Sequence, residues 1–156
     1  MRYPLIPAAT TVLLASTCGH AQTLVSDGAA RVMETWAAKG IRWAGGSDYA
    51  VTPFAARYGL WSSVARETLN GTFGKTPFGT DESVDIRTAL KSYTIWAAHQ
   101  IFLDDRVGSI EVGKDADLAV WDRDMYTVPT AAIKDLKAEL TLVGGRVVHR
   151  GPAFAR

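Results

Sequence analysis

At 156 residues, 47% of them hydrophobic, the chain can build one domain with a real core, and its composition is that of a globular protein rather than a disordered one. Seventeen basic against sixteen acidic residues leave a net charge of +1; no basic face is available for the many phosphate contacts that nucleic-acid affinity needs, so nucleic acid is not an expected partner. One cysteine, Cys18, excludes an internal disulfide and a thiolate metal cluster, and with three histidines the chain is poor in metal ligands.

Arg2, an apolar run through Leu5, Ile6, Val12, Leu13, Leu14 and Ala15, and small residues around His20 outline a secretory leader with cleavage after Ala21. Pro4, Pro7 and the threonines break the run below the roughly 20 apolar residues of a membrane-spanning helix, so no transmembrane anchor is expected. Cys18 lies in this leader, and Ala15-Ser16-Thr17 ahead of it suits a lipid attachment site poorly. The leader, if genuine, implies export; otherwise the expected compartment is the cytoplasm.

Beyond it, Ser26 and Asp27 offer an N-cap, Ala29, Val32, Met33 and Trp36 fall at helical spacing, and Gly40 sits where a glycine closes a helix. Ile41 to Ala44 is expected to be a strand that stops at Gly45-Gly46, followed by a helix opened by Thr52-Pro53, with Leu60, Trp61, Val64, Ala65 and Leu69 on its buried face. Asn70 to Thr80 is a glycine-rich loop, long enough to fold over a site or simply to connect, with the connector the favoured reading. From Ser83 a helix carries Ile86, Leu90 and Tyr93, and Thr94 is placed to cap a second short helix bearing Ile95, Trp96, Ala98 and Phe102. The helical part ends near Leu103.

From Arg106 the grammar changes to strands: Val107 to Val112, a turn at Gly113-Lys114-Asp115, then Asp117 to Asp122. After Pro129 a helical turn through Ile133 and Leu136 leads to a strand from Glu139 to Val143. Gly144-Gly145 joins it to Arg146 to His149, a strong hairpin signal because both central residues of the favoured turn need positive φ.

The candidate for chemistry is Asp48, delivered by an apolar run that stops at two glycines. A short polar residue there is ordinarily a loop or helix cap. The sharper reading is a metal ligand that also takes a proton from metal-bound water, a role that suits a carboxylate on a rigid strand tip. The three histidines, His20, His99 and His149, are too far apart in sequence for local chelation. Gly46-Ser47-Asp48 is not a nucleophile elbow. Lys114, Asp115 and Asp117 flank a turn, where charges ordinarily face solvent, and the tryptophans at 36, 43, 61, 96 and 121 fall on expected buried faces.

Three segments together, Gly45-Gly46-Ser47-Asp48, the stretch from Ala89 to Ala98, and Gly108-Ser109-Ile110-Glu111-Val112-Gly113-Lys114-Asp115-Ala116-Asp117-Leu118 running on to Asp122, resemble the C-terminal part of the metal-dependent amidohydrolases, in particular their large amidohydrolase-like branch. The resemblance runs from about Asp27 to about Arg150. It implies an α/β fold: the terminal portion of a (β/α)8 barrel followed by the C-terminal strands of a small β-sandwich. The implied division is a leader-like or non-homologous stretch at 1–22, a partial barrel at 23–104, a sandwich segment at 105–150 and a tail at 151–156.

The same resemblance implies hydrolysis of C–N bonds in small amide-like or cyclic amide substrates by one or two divalent metals, commonly zinc, with Asp48 as the aspartate that binds metal and shuttles the proton of the attacking water. The family's His-x-His pair, bridging ligand and two further histidines have no counterpart in this sequence, and a whole barrel takes about 250 residues. A catalytic zinc ordinarily needs about three protein ligands. The expectation is therefore a C-terminal hydrolase fragment, inactive and metal-free alone, completed by the missing barrel portion or by another copy. The alternative is a non-catalytic exported or partner-binding module derived from such a tail.

Overall fold

In the computed structural model of the chain, residues 33–47, 53–69 and 76–155 are described. The leader-like stretch, most of the glycine-rich connector and Asp48 lie outside the described residues.

Helix α1, Met33–Ala38, is closed by Gly40 at φ +72°. Its first turn is tied across the fold: Glu82 accepts the Thr35 N–H at 2.8 Å and the Thr35 hydroxyl. Helix α2, Ala56–Ala65, starts three residues after Pro53, so the proline precedes the first turn instead of occupying it. Leu60 and Trp61 are buried as expected, while Leu69 lies past the helix and is exposed. Helix α3, Ile86–Tyr93, begins later than Ser83 because Asp85 is its cap, its carboxylate accepting the Thr88 N–H at 2.8 Å. Helix α4 spans Ile95–Gln100, and Thr94 does not cap it: the threonine hydroxyl donates back to the Leu90 carbonyl at 2.7 Å.

The core gathers Trp43, Leu60, Trp61, Val84 and Ala89 from the helical part with Met125, Ile133 and Leu136 from the later connection. A 3-10 turn at Thr130–Asp135 presses Ile133 against α2, and the Lys134 ammonium lies 4.5 Å over the Trp61 ring. Two aromatics depart from the expected burial. Trp36 is partly exposed, and Phe102, 87% exposed, follows α4 in the left-handed region at φ +57°, where the helix has already ended.

The sheet holds three strands, β1 (Leu118–Trp121), β2 (Ala138–Val143) and β3 (Arg146–Arg150), antiparallel in that order. Leu118 faces Leu142, Thr141 faces His149, and one bulge interrupts each pairing. Gly144 and Gly145, at φ +52° and +76°, make the connecting turn with both residues on the positive side, as the sequence signal requires.

Two expected strands are not formed. Ile41–Ala44 joins no ladder among the described residues; a run this short is held as a strand only by neighbours on either side. Val107–Val112 is a succession of turns, with Ile110 and Val112 exposed. Its apolar residues are not those of a half-buried strand, because polar side chains fold the segment back on itself.

That folding-back centres on Lys114. Its ammonium donates to the Asp104 carbonyl and the Ser109 hydroxyl, each at 2.6 Å, and pairs with Glu111 at 3.2 Å. The lysine side chain is only 10% exposed, so it does not face solvent as turn residues ordinarily do. Gly108 has φ +93° and lies so close to α4 that a Cβ would stand 2.8 Å from the Ala98 Cβ and 2.9 Å from the Ile95 Cα. At the other end Asp117 accepts the Gly144 N–H at 2.7 Å, and the Ala116 carbonyl accepts that of Gly145 at 3.0 Å. The run from Gly108 to Leu118 is the joint between helices and sheet.

Candidate functional site

Among the described residues, the stretch that leads to Asp48 is packed through Trp43 and Gly45. Trp43 is buried and meets Trp96 edge to face, ring centroids 5.9 Å apart at 68°. Two residues on, the Gly45 N–H donates to the Ser92 carbonyl at 3.0 Å. The Tyr93 ring lies directly on Gly45, where a Cβ would collide with Cε2, and its hydroxyl end reaches Gly59 of α2, where a Cβ would collide with the oxygen. Burial of the phenol pushes its pKa up to about 12. The indole N–H of Trp43 is buried and has no hydrogen-bond partner among the described residues.

Ser47 is the last described residue before Asp48. The aspartate itself, singled out by sequence as catalytic residue and metal ligand, lies outside the described residues, as do Cys18 and His20. The structure describes the stretch that leads to it, with α3 packed against Gly45, Gly59 of α2 on the far side of the Tyr93 ring, and Trp96 of α4 against Trp43.

Among the described residues no group of three or more His, Cys, Asp and Glu side chains could hold a metal ion. Several of the acidic side chains are committed elsewhere. Glu82 is buried; its hydrogen bond from the Thr35 hydroxyl, above all, holds its carboxyl below the usual carboxylate range. Arg66, buried nearby, has its guanidinium pKa lowered by desolvation and partly restored by Glu82 and Asp81. Its Nε donates to the carbonyls of Phe78 and Gly79 at 3.3 and 3.1 Å. Asp104 faces His99 Nδ1 at 3.1 Å on an exposed surface, and Ser109 and Lys114 hold Glu111. The Lys137 N–H donates to Asp122 at 2.9 Å. This donor set does not fit a catalytic metal, which needs about three converging ligands.

Sequence reasoning missed Glu82 and Tyr93 as organising residues. A lone glutamate in a polar run and a tyrosine on a helix face carry no signal of the distant partners, Thr35, Gly45 and Gly59, that give them their roles. Lys114 carried more, since a lysine between glycine and aspartate in the Gly108–Leu118 run belongs to the most specific segment.

Comparison with known proteins places these features. A family model described as "Amidohydrolase family" matches residues 5–149, reaching into the stretch that resembles a leader. The chain is 37% identical over 106 residues to an N-substituted formamide deformylase of Arthrobacter pascens, an alignment covering 68% of this chain and 19% of that protein. It is 30% identical over 116 residues to YtcJ of Bacillus subtilis (strain 168), named as an amidohydrolase, covering 74% and 22%. An amidohydrolase from Thermotoga maritima MSB8 superposes with a TM-score of 0.55 at 27% identity, over 76% of this chain and 26% of that one. The chain spans about a fifth of the length of these two curated relatives. With its Gly45–Ser47 tip, its α3–α4 pair and its Lys114 joint set in one continuous match, the chain belongs to the amidohydrolase family.

Proposed function

We propose that this chain forms the closing segment of a hydrolase that cleaves C–N bonds other than peptide bonds in small amide-like or cyclic amide substrates. Asp48 is its proton-accepting carboxylate and metal ligand. The observation that carries the reading is the 37% identity with the formamide deformylase across 106 residues. The anchoring of Gly45 by Ser92 and Tyr93 supports it, because a group that moves a proton must be held to within a fraction of an ångström. In this proposal residues 23–104 are barrel and 105–150 sandwich.

The family's metal, commonly zinc, belongs to the same proposal with its further ligands supplied from outside the described residues. Ile41–Ala44, which joins no ladder among the described residues, and the exposed Phe102, Ile110 and Val112 are where the rest of the barrel would pack. These exposed apolar residues also support the second reading, a partner-binding module without turnover.

The test is a chimera in which this chain's residues 27–150 replace the matching segment of the Arthrobacter deformylase, assayed on an N-substituted formamide. Turnover is expected, and Asp48→Asn should lower kcat by about 100-fold or more, the usual scale for losing a general base, with the circular dichroism spectrum unchanged. Near-normal turnover by that variant removes Asp48 from the mechanism. Hydrolysis by the purified 156-residue chain alone would show that no outside ligands are needed.

A further inference from the structure

The contacts around Gly45 are unequal in kind. The hydrogen bond to Ser92 fixes one backbone atom, and the Trp43–Trp96 pair lies two residues upstream. Tyr93 touches both the tip and a second helix: its ring occupies the space a side chain at Gly45 would fill, and its Cζ and oxygen the space a side chain at Gly59 would fill. Gly59 sits in the middle of α2, where glycine costs the helix about 1 kcal/mol relative to alanine. No positive φ accounts for it, since Gly59 is not among the positive-φ glycines. The ring accounts for it.

We propose that Tyr93 is the positioning residue of the tip: its ring, wedged between Gly45 and Gly59, fixes the direction in which Gly45–Ser47 leave the core. This rests on the reading of Asp48 as the working carboxylate, one residue past Ser47. The position is set by ring shape, so the hydroxyl is dispensable and the six-membered ring is not. Leucine is too short to span from Gly45 to Gly59, whereas phenylalanine retains the face on Gly45. A Cβ at Gly59 would push the ring off the tip while leaving α2 a better helix former.

The experiment is amide hydrogen exchange and carboxyl carbon NMR on the full 156-residue chain. In the wild type the Gly45 amide is expected to be protected and Asp48 to give a single Cγ line. Tyr93→Phe should match the wild type. Tyr93→Leu and Gly59→Ala should each speed Gly45 exchange by about tenfold or more, the signature of a local opening, and broaden or split the Asp48 line. Amides of Thr141 and Leu142 in β2 should exchange at wild-type rates, showing that the fold persists.

Unchanged Gly45 exchange in both disruptive variants overturns the proposal. So does a loosened Gly45 with an unaltered Asp48 line, because the wedge would then not reach the carboxylate. Failure of Tyr93→Phe to match the wild type overturns the role given to the ring. Should Tyr93→Leu lose its β2 protection as well, Gly59→Ala and Tyr93→Phe decide the question between them. None of these readouts depends on turnover, so an active Asp48→Asn chimera would remove Asp48 from the mechanism while leaving the wedge to be judged on its own data.

Discussion

The segment from Asp104 to Asp117 and the approach from Ile41 to Ser47 are held by opposite means. In the first, charged side chains close on partners nearby: Arg106 on Asp115 at 2.8 Å, Lys114 on Asp104, Ser109 and Glu111, Asp117 on Gly144. In the second, a ring, an indole pair and the backbone hydrogen bonds from Ile41 to Trp36 and from Gly45 to Ser92 hold a glycine-rich tip. The segment with the most specific sequence pattern is therefore a mechanical joint. The one with the weakest pattern is the support of the proposed chemistry. A specific motif marks a place where many residue types are simultaneously required, and a joint requires more of them than a glycine tip does.

The comparison can be broken most forcefully at the core that both regions lean on. Trp61, 1% exposed, packs with Leu60 from the helices and with Ile133 and Leu136 from the connection into β2. Trp61→Ala should cost about 3–5 kcal/mol and lower the stability of helices and sheet together in urea denaturation. Two separate transitions would show that the halves do not share one core.

Cutting the joint itself should do less. Lys114→Met leaves the Asp104 carbonyl and Ser109 without their donor, a loss of about 1–3 kcal/mol, read as a lowered urea midpoint and faster proteolysis between 104 and 117. Gly45 exchange should stay as it is, since no Lys114 contact reaches the tip. A loosened tip would mean that the two regions are coupled.

Acid sharpens the contrast further. Glu82, Asp104, Glu111 and Asp122 all have carboxyls held below their ordinary range in the folded chain. The unfolded chain then binds protons first as pH falls, so the stability these groups contribute is present above their unfolded values of about 4 and is lost as pH drops through the folded ones. Glu82→Gln should flatten the fall in denaturation midpoint below about pH 4 and free the first turn of α1. An unchanged acid profile would remove Glu82 from that role.

The smallest effect is expected at Phe102, a phenylalanine in the left-handed region with its ring in solvent. Phe102→Asn should raise stability by about 0.5 kcal/mol, because asparagine tolerates that backbone better. A loss would show that the ring is engaged.

What the sequence made legible was local. The helix expected from Ser83 starts at Ile86, after the Asp85 cap, and the Gly144-Gly145 hairpin, the turn through Ile133 and the three sheet strands follow from turn chemistry and short-range pattern. What it hid was partnership at a distance. Nothing near Lys114 announces that its ammonium will turn inward to a carbonyl ten residues back, and the apolar residues of 107–112 look like a strand until that is known. Ile41–Ala44 fails for a related reason, since a strand is a property of its neighbours. Asp48 is singled out by its position after Gly45-Gly46, and the tyrosine beneath that tip is not, because glycines separated by 14 positions reveal nothing until one ring is seen to touch both.

That shared ring couples three positions in how they can vary. With tyrosine at 93, positions 45 and 59 must lack side chains; were the ring replaced by a small aliphatic residue, alanine at 59 would be admitted and α2 would regain the helical propensity it now forgoes. Relatives that carry a smaller residue at the position of Tyr93 should therefore carry a side chain at that of Gly59 and support the tip from another direction, while those that retain the aromatic ring should retain both glycines.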